Sequence, residues 1–217
     1  MGVAAILVLA ATQAYSISTS PAEGDMGHLQ KIMYVHVPAA WMTFLAFFVV
    51  LVFSVKYLWK GREDDDLVAA SAAEVGATLN GLTLVLGMIW GRPAWGVWWV
   101  WDARLTSTLV LFLIFAGYLA LRAFVDDEQQ RARWSAAVGA IGAINVPIVY
   151  MSVKWWRTLH QPPSSPATLD PAYTMGLRIN AFALLFVMIF FIRKRYEIAR
   201  LERAAEHAAE AAALGAP

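Results

Sequence analysis

The sequence predicts an all-α integral membrane protein: six transmembrane helices with a tryptophan-rich interfacial segment on the outer face. Three observations carry that expectation. The 217 residues are 59% hydrophobic and 15% charged, with a mean hydropathy of +0.55, against roughly 25% charge in soluble domains. Six apolar runs approach the roughly 20 residues that a helix needs to cross hydrocarbon. Between two of them, positions 90–106 hold Trp90, Trp95, Trp98, Trp99 and Trp101, half of the ten tryptophans. The spans consume nearly all the chain, so no soluble catalytic domain fits. A net charge of +1 without a basic stripe gives no nucleic-acid signal. Cysteine is absent, which excludes disulfides, thiolate catalysis and Cys-linked cofactors within this chain.

The first span, about 3–17, is as short as a secretory signal. No basic residue precedes its apolar run and no small-x-small site follows, so it reads as a helix. A polar loop with His28 leads to the second span, about 37–59. Pro38 suits its first turn, which puts His36 at the mouth of the helix. Positions 60–66 form a charged turn. Asp65 or Asp66 is expected to cap the third span, about 67–89, with the acidic run solvated. Gly91, Pro93 and Gly96 then interrupt the helix, and the i, i+3/i+4, i+7 spacing of Trp95, Trp98/Trp99 and Asp102 turns helical again.

The fourth span covers about 104–124. Asp126, Asp127 and Glu128 with Arg131 and Arg133 make a second charged turn. The fifth, about 134–151, contains Asn145 and Pro147, and the Asn is expected to satisfy the carbonyl that the Pro frees. A loop that is proline-rich as far as Pro171 carries Trp155, Trp156, Arg157 and His160. The sixth span, about 173–192, ends in Arg193, Lys194 and Arg195. The organisation is therefore one six-helix membrane domain, 1–192, and an Ala/Glu/Arg-rich tail, 193–217. That tail is expected as a helix projecting into the cytosol, with His207 solvated.

Lysines and arginines in the connections set the orientation. Eleven lie on the side that holds Lys56, Arg62, Arg131 and Arg195, against six on the side of Arg92, Arg104 and Lys154. Both termini are thus expected in the cytoplasm, and the tryptophan segment, His36 and His160 all emerge on the outer face.

Tryptophan gathers at bilayer interfaces for physical reasons alone. That accounts for two or three at a helix end. Five in one loop, interleaved with Gly and Pro and closed by Asp102-Ala103-Arg104, point instead to a platform for a large flat ligand. Neutral imidazole is an axial ligand of haem iron, and two histidines on opposite sides of a porphyrin make a six-coordinate site. His36 and His160 lie on separate stretches beside aromatics. Trp90, Trp95, Trp98, Trp99, Trp101, Trp155 and Trp156 supply candidate walls, and Arg104, Arg157, Lys154 and Arg92 candidate cations for propionates. Asp102 and Arg104 also suit a plain structural role, capping the fourth helix and pairing with each other. His28 is the weaker candidate, and His207 is on the wrong face. Glu74, Asn80 and Arg178 are polar groups in or near the spans.

The run Trp90-Gly91-x-x-x-Trp95-Gly96-x-Trp98-Trp99-x-Trp101-Asp102-x-Arg104-Leu105-Thr106 resembles the tryptophan-rich WWD signature of the haem-handling proteins of cytochrome c maturation. Within them, the length, the six spans and the segments around His36, Asn145 and His160 resemble the CcmC family, haem exporter protein C. The CcmF and CcsA/ResC types are longer. The resemblance covers roughly residues 30–192; the first helix looks truncated relative to the family, and the tail matches nothing recognisable. It implies a protein of the bacterial inner membrane that catalyses no turnover. It would bind haem b at the outer surface, with His36 and His160 as axial ligands. It would then deliver the haem to the chaperone CcmE, with CcmD and the ABC transporter pair CcmA/CcmB as partners. The competing readings are a membrane electron-transfer cytochrome b or quinone-binding subunit, and a haem transporter subunit. The first would place histidines deep in facing helices; the second would need more intramembrane polar groups than Glu74, Asn80, Asn145 and Arg178.

Overall fold

A computed structural model describes residues 2–162 and 169–213. Part of the proline-rich loop, 163–168, and the last four tail residues lie outside the described residues. The helices are α1 (Gly2–Thr19), α2 (Met33–Lys60), α3 (Glu63–Trp95), α4 (Ala103–Phe124), α5 (Glu128–Gly142), α6 (Asn145–Trp155) and α7 (Pro171–Ala213), with a 3-10 turn at His28–Ile32 before α2. The pair α5–α6 makes one crossing. Six helical segments are therefore long and apolar enough to span a membrane.

Successive segments run up and down. One end of the bundle gathers the start of α2, the end of α3, the start of α4 and the end of α6; the other gathers the charged turns. Helices α2 and α3 form the centre, with α4, α5 and α7 packed around them and α1 lying mainly on α7. Phe47 of α2 stacks on Phe115 of α4 with ring centroids 3.6 Å apart, inside a core that includes Val50, Leu111 and Tyr118. Small residues allow the close approach. A Cβ on Gly76 would lie 2.7 Å from the Phe47 ring, and one on Gly139 would lie 2.7 Å from Ser54 Oγ. Glycine at helix contacts is how lipid-embedded helices gain van der Waals packing.

Several expectations change. Helix α2 begins at Met33, so His36 lies inside its first turn. Helix α3 continues through Gly91 and Pro93 to Trp95, and only Gly96, in a left-handed conformation at φ 79°, ends it. Pro93 removes a single backbone bond, which the last turn tolerates. Residues 96–102 are not helical. The tryptophan spacing after Trp95 therefore belongs to a bent, non-helical shelf, not to a new helix.

The acidic run at the start of α3 is not simply solvated. Arg62 occupies the N-cap without a side-chain bond. Asp65 and Asp66 are both 3% exposed. Lys56 reaches Asp65 at 2.7 Å, and Arg122 donates twice to Asp66 at 2.6 and 2.9 Å. The C-terminal ends of α2 and α4 deliver these cations to the first turn of α3, where a carboxylate is also favoured by the helix dipole.

The fifth crossing breaks at 143–144, so Pro147 falls in the first turn of α6, where its missing N–H has no role. Asn145 does not satisfy a carbonyl freed by Pro147; its Nδ2 donates to Ser107 O on α4 at 2.9 Å. The tail is a continuation of α7, and it does not project freely. Arg203 is 9% exposed, paired with Glu63 at 3.4 Å and with Glu128. His207 lies 3.6 Å from Glu128. Glu74 pairs with Arg195 of α7.

Candidate functional site

At the end where α2 begins and α3 stops, the helices enclose a cavity of about 360 Å³. Ligand pockets span roughly 300–1,000 Å³. His36 enters it from α2 and His160 from the loop after α6, so two residues 124 positions apart share one space. His36 is 7% exposed. Its ring meets Trp90 edge-on at 5.7 Å and 77°, and Gly87 opposite leaves room for it. His36 Nδ1 is buried without a hydrogen-bond partner.

His160 is held differently. Its Nδ1 lies 2.8 Å from Gln161 O, and its backbone N–H donates to Thr158 Oγ1 at 3.0 Å. A neutral ring that donates Nδ1–H to a carbonyl keeps its Nε2 lone pair for a metal. Burial pushes the His160 pKa below the ordinary 6.5. Its bond to the Gln161 carbonyl opposes this, Arg104 adds to it, and Asp102 again opposes it. The neutral, ligating form is the one favoured.

The tryptophans divide. Trp90, Trp95 and Trp99 line the cavity, with Trp95 tilted against His160 at 6.4 Å. Trp98 and Trp101 are 55% and 76% exposed and stand off the wall, Trp101 packing edge-on against Trp99 at 5.5 Å. Trp155 and Trp156 are exposed and pack on each other at 5.7 Å. Arg157 and Arg92 are exposed, and Arg92 donates to Gly96 O at 2.6 Å. Arg104 does reach the cavity, and its Nε has no partner. Asp102 turns its oxygens to Leu105, Thr158 and Leu159 instead of Arg104.

Asn80 joins the wall deeper along α3, fully buried with neither amide atom paired. His28 is exposed on the 3-10 turn, Arg178 is exposed on α7, and His207 is at the opposite end. Trp41 and Met26 were not singled out from sequence. Trp41 lies on the same side of α2 as Val37 (i, i+4), which the helical period could have revealed. Met26 accepts from Trp90 Nε1 at 3.3 Å across 64 positions, and nothing local signals that.

Among the described residues no three His, Cys, Asp or Glu cluster as a metal site. Two imidazoles suit a metal that brings its remaining ligands in a ring of its own. The aromatic walls suit such a ring's faces, and the Arg104 guanidinium, its Nε without a partner among the described residues, suits its acidic substituents.

The family model described as CcmC, heme exporter protein C, matches residues 1–209. The chain belongs to the CcmC family. It is 41% identical over 203 residues to heme exporter protein C of Bradyrhizobium diazoefficiens, covering 91% of this chain and 77% of that one. Against the Escherichia coli K12 protein of the same name, identity is 37% over 208 residues, with 94% and 84% covered. For Paracoccus denitrificans the figures are 36% over 193 residues, 86% and 80%. The match takes in α1 and most of the tail, so the family extends well beyond the 30–192 stretch that the motifs suggested.

Proposed function

We propose that this CcmC-family chain holds haem b between His36 and His160 and presents it, without turnover, to the haem chaperone CcmE during cytochrome c maturation. The observation that carries this reading is the single cavity into which both imidazoles project, with no third protein ligand among the described residues. Bound haem would supply the iron and four pyrrole nitrogens. The chain's own residues do the rest. His36 on a helix and His160 on a loop would hold the iron through their ring nitrogens. Trp90, Trp95 and Trp99 exclude water from the ring. Arg104 draws a propionate carboxylate, a charge-assisted contact that fixes the ring's rotation.

The excess of Lys and Arg at the charged-turn end supports a cytoplasmic side for that end, in a bacterial inner membrane. The cavity then opens on the periplasmic side, where CcmE would collect the haem. Trp98 and Trp101, large and exposed beside the opening, suit a docking rim. CcmD and the CcmA/CcmB pair are the further partners this reading expects.

The test is the absorption spectrum of protein purified from membranes, with haem added. Low-spin bis-imidazole bands are expected for the natural sequence. His36→Ala and His160→Ala should each lose them and retain less haem while still inserting in the membrane. Unchanged spectra in both variants would overturn the assignment.

A further inference from the structure

The loop that carries His160 is held by one carboxylate from elsewhere in the chain. Asp102 caps α4, its Oδ1 accepting from Leu105 N at 2.8 Å. The other oxygen accepts from the Thr158 hydroxyl and from Leu159 N, the latter at 3.2 Å. Thr158 Oγ1 in turn accepts from His160 N at 3.0 Å. A relay thus runs from the first turn of α4 through Asp102 and Thr158 to the backbone of His160. Asp102 itself is not on the cavity wall. Among the described residues no carboxylate relay of this kind reaches His36, which is carried on α2.

Resting on the haem reading above, we propose that Asp102 is a positioning residue: acting through Thr158, it holds His160 over the cavity and sets how readily that ligand lets go. The two imidazoles are then unequal. His36 stands on a packed helix turn, whereas His160 stands on a loop that Asp102 ties to α4, so the loop yields first. Asp102→Asn keeps a good N-cap but puts an N–H where Leu159 N–H needs an acceptor. Thr158→Val removes the relay hydroxyl and leaves the cap of α4 intact.

Two measurements on the full chain in detergent test this. Without haem, hydrogen exchange of residues 156–162 should accelerate about tenfold in Thr158→Val, the weight of one charge-assisted hydrogen bond, while the first turn of α4 stays protected. With haem reduced, carbon monoxide should bind about tenfold faster in Thr158→Val and in Asp102→Asn, because His160 vacates the iron more often. Thr158→Ser should restore both rates. In a His160→Ala background, Thr158→Val should change the carbon monoxide rate no further. Natural rates in both variants, or the same acceleration in the His160→Ala background, would overturn the proposal. A natural protein with no bis-imidazole spectrum would sink the haem reading instead, and the haem-free exchange result would still judge the latch.

Discussion

Gly87 has no side chain, and a Cβ there would lie 3.3 Å from Cε1 of His36. Alanine asks the ring to yield by a few tenths of an ångström. Valine adds two methyls in the same direction and drives the imidazole off its line, an overpacking that costs about 1–3 kcal/mol. Gly87→Val is therefore expected to lower haem retention roughly tenfold, and Gly87→Ala only mildly, by titration of purified protein. On the proposed haem reading, His160 sets the acid limit. Its folded-state pKa lies below the ordinary 6.5, so folding favours the neutral ring. That contribution is fully present above 6.5 and is lost as the pH falls through the folded value. Haem retention should stay flat from about pH 8 to 6.5 and drop on further acidification; a retention curve that rises toward acid would contradict this. Both histidines were legible from their place beside apolar runs and indoles. The Asp102–Thr158 contact was not, because its partners stand 56 positions apart and neither residue type marks the other.

At the level of the elements, the ion pairs of the charged turns matter most. Asp66 and Arg122 are both largely buried, with side chains 4% and 14% exposed. Removing one partner leaves an uncompensated charge, a loss of about 3–5 kcal/mol. Arg122→Ala is expected to lower the melting temperature in detergent by several degrees, and Asp66→Asn, which keeps a hydrogen-bond acceptor, by less. Helix existence was plain from hydropathy, since an apolar run of spanning length has few other fates. Helix ends were not. Proline and glycine at 91–93 read as breakers, yet the last turn of α3 absorbs them, and Gly96 alone supplies the left-handed residue that stops it. The acidic run likewise read as a cap because sequence does not show which cations the neighbouring helices bring.

For the molecule as a whole, the tail is tied to the bundle through Arg203, whose side chain is 10% exposed between Glu63 and Glu128. Arg203→Glu reverses those attractions. It should expose the helix beyond Arg195 to limited proteolysis while leaving the haem spectrum unchanged; equal resistance in both proteins would show that packing alone holds the tail. Composition announced a membrane bundle, but it could not reveal that the last span and the tail are one piece.

Helix α7 runs 43 residues without an internal proline, roughly 65 Å at 1.5 Å per residue, about twice the hydrocarbon thickness. Its first turns bring Tyr173 and Leu177 against Trp90 and Tyr34, while its last turns carry Arg203 among the acidic side chains. One continuous helix thus links the acidic side chains around Arg203 to the cluster that holds Trp90, the indole beside His36.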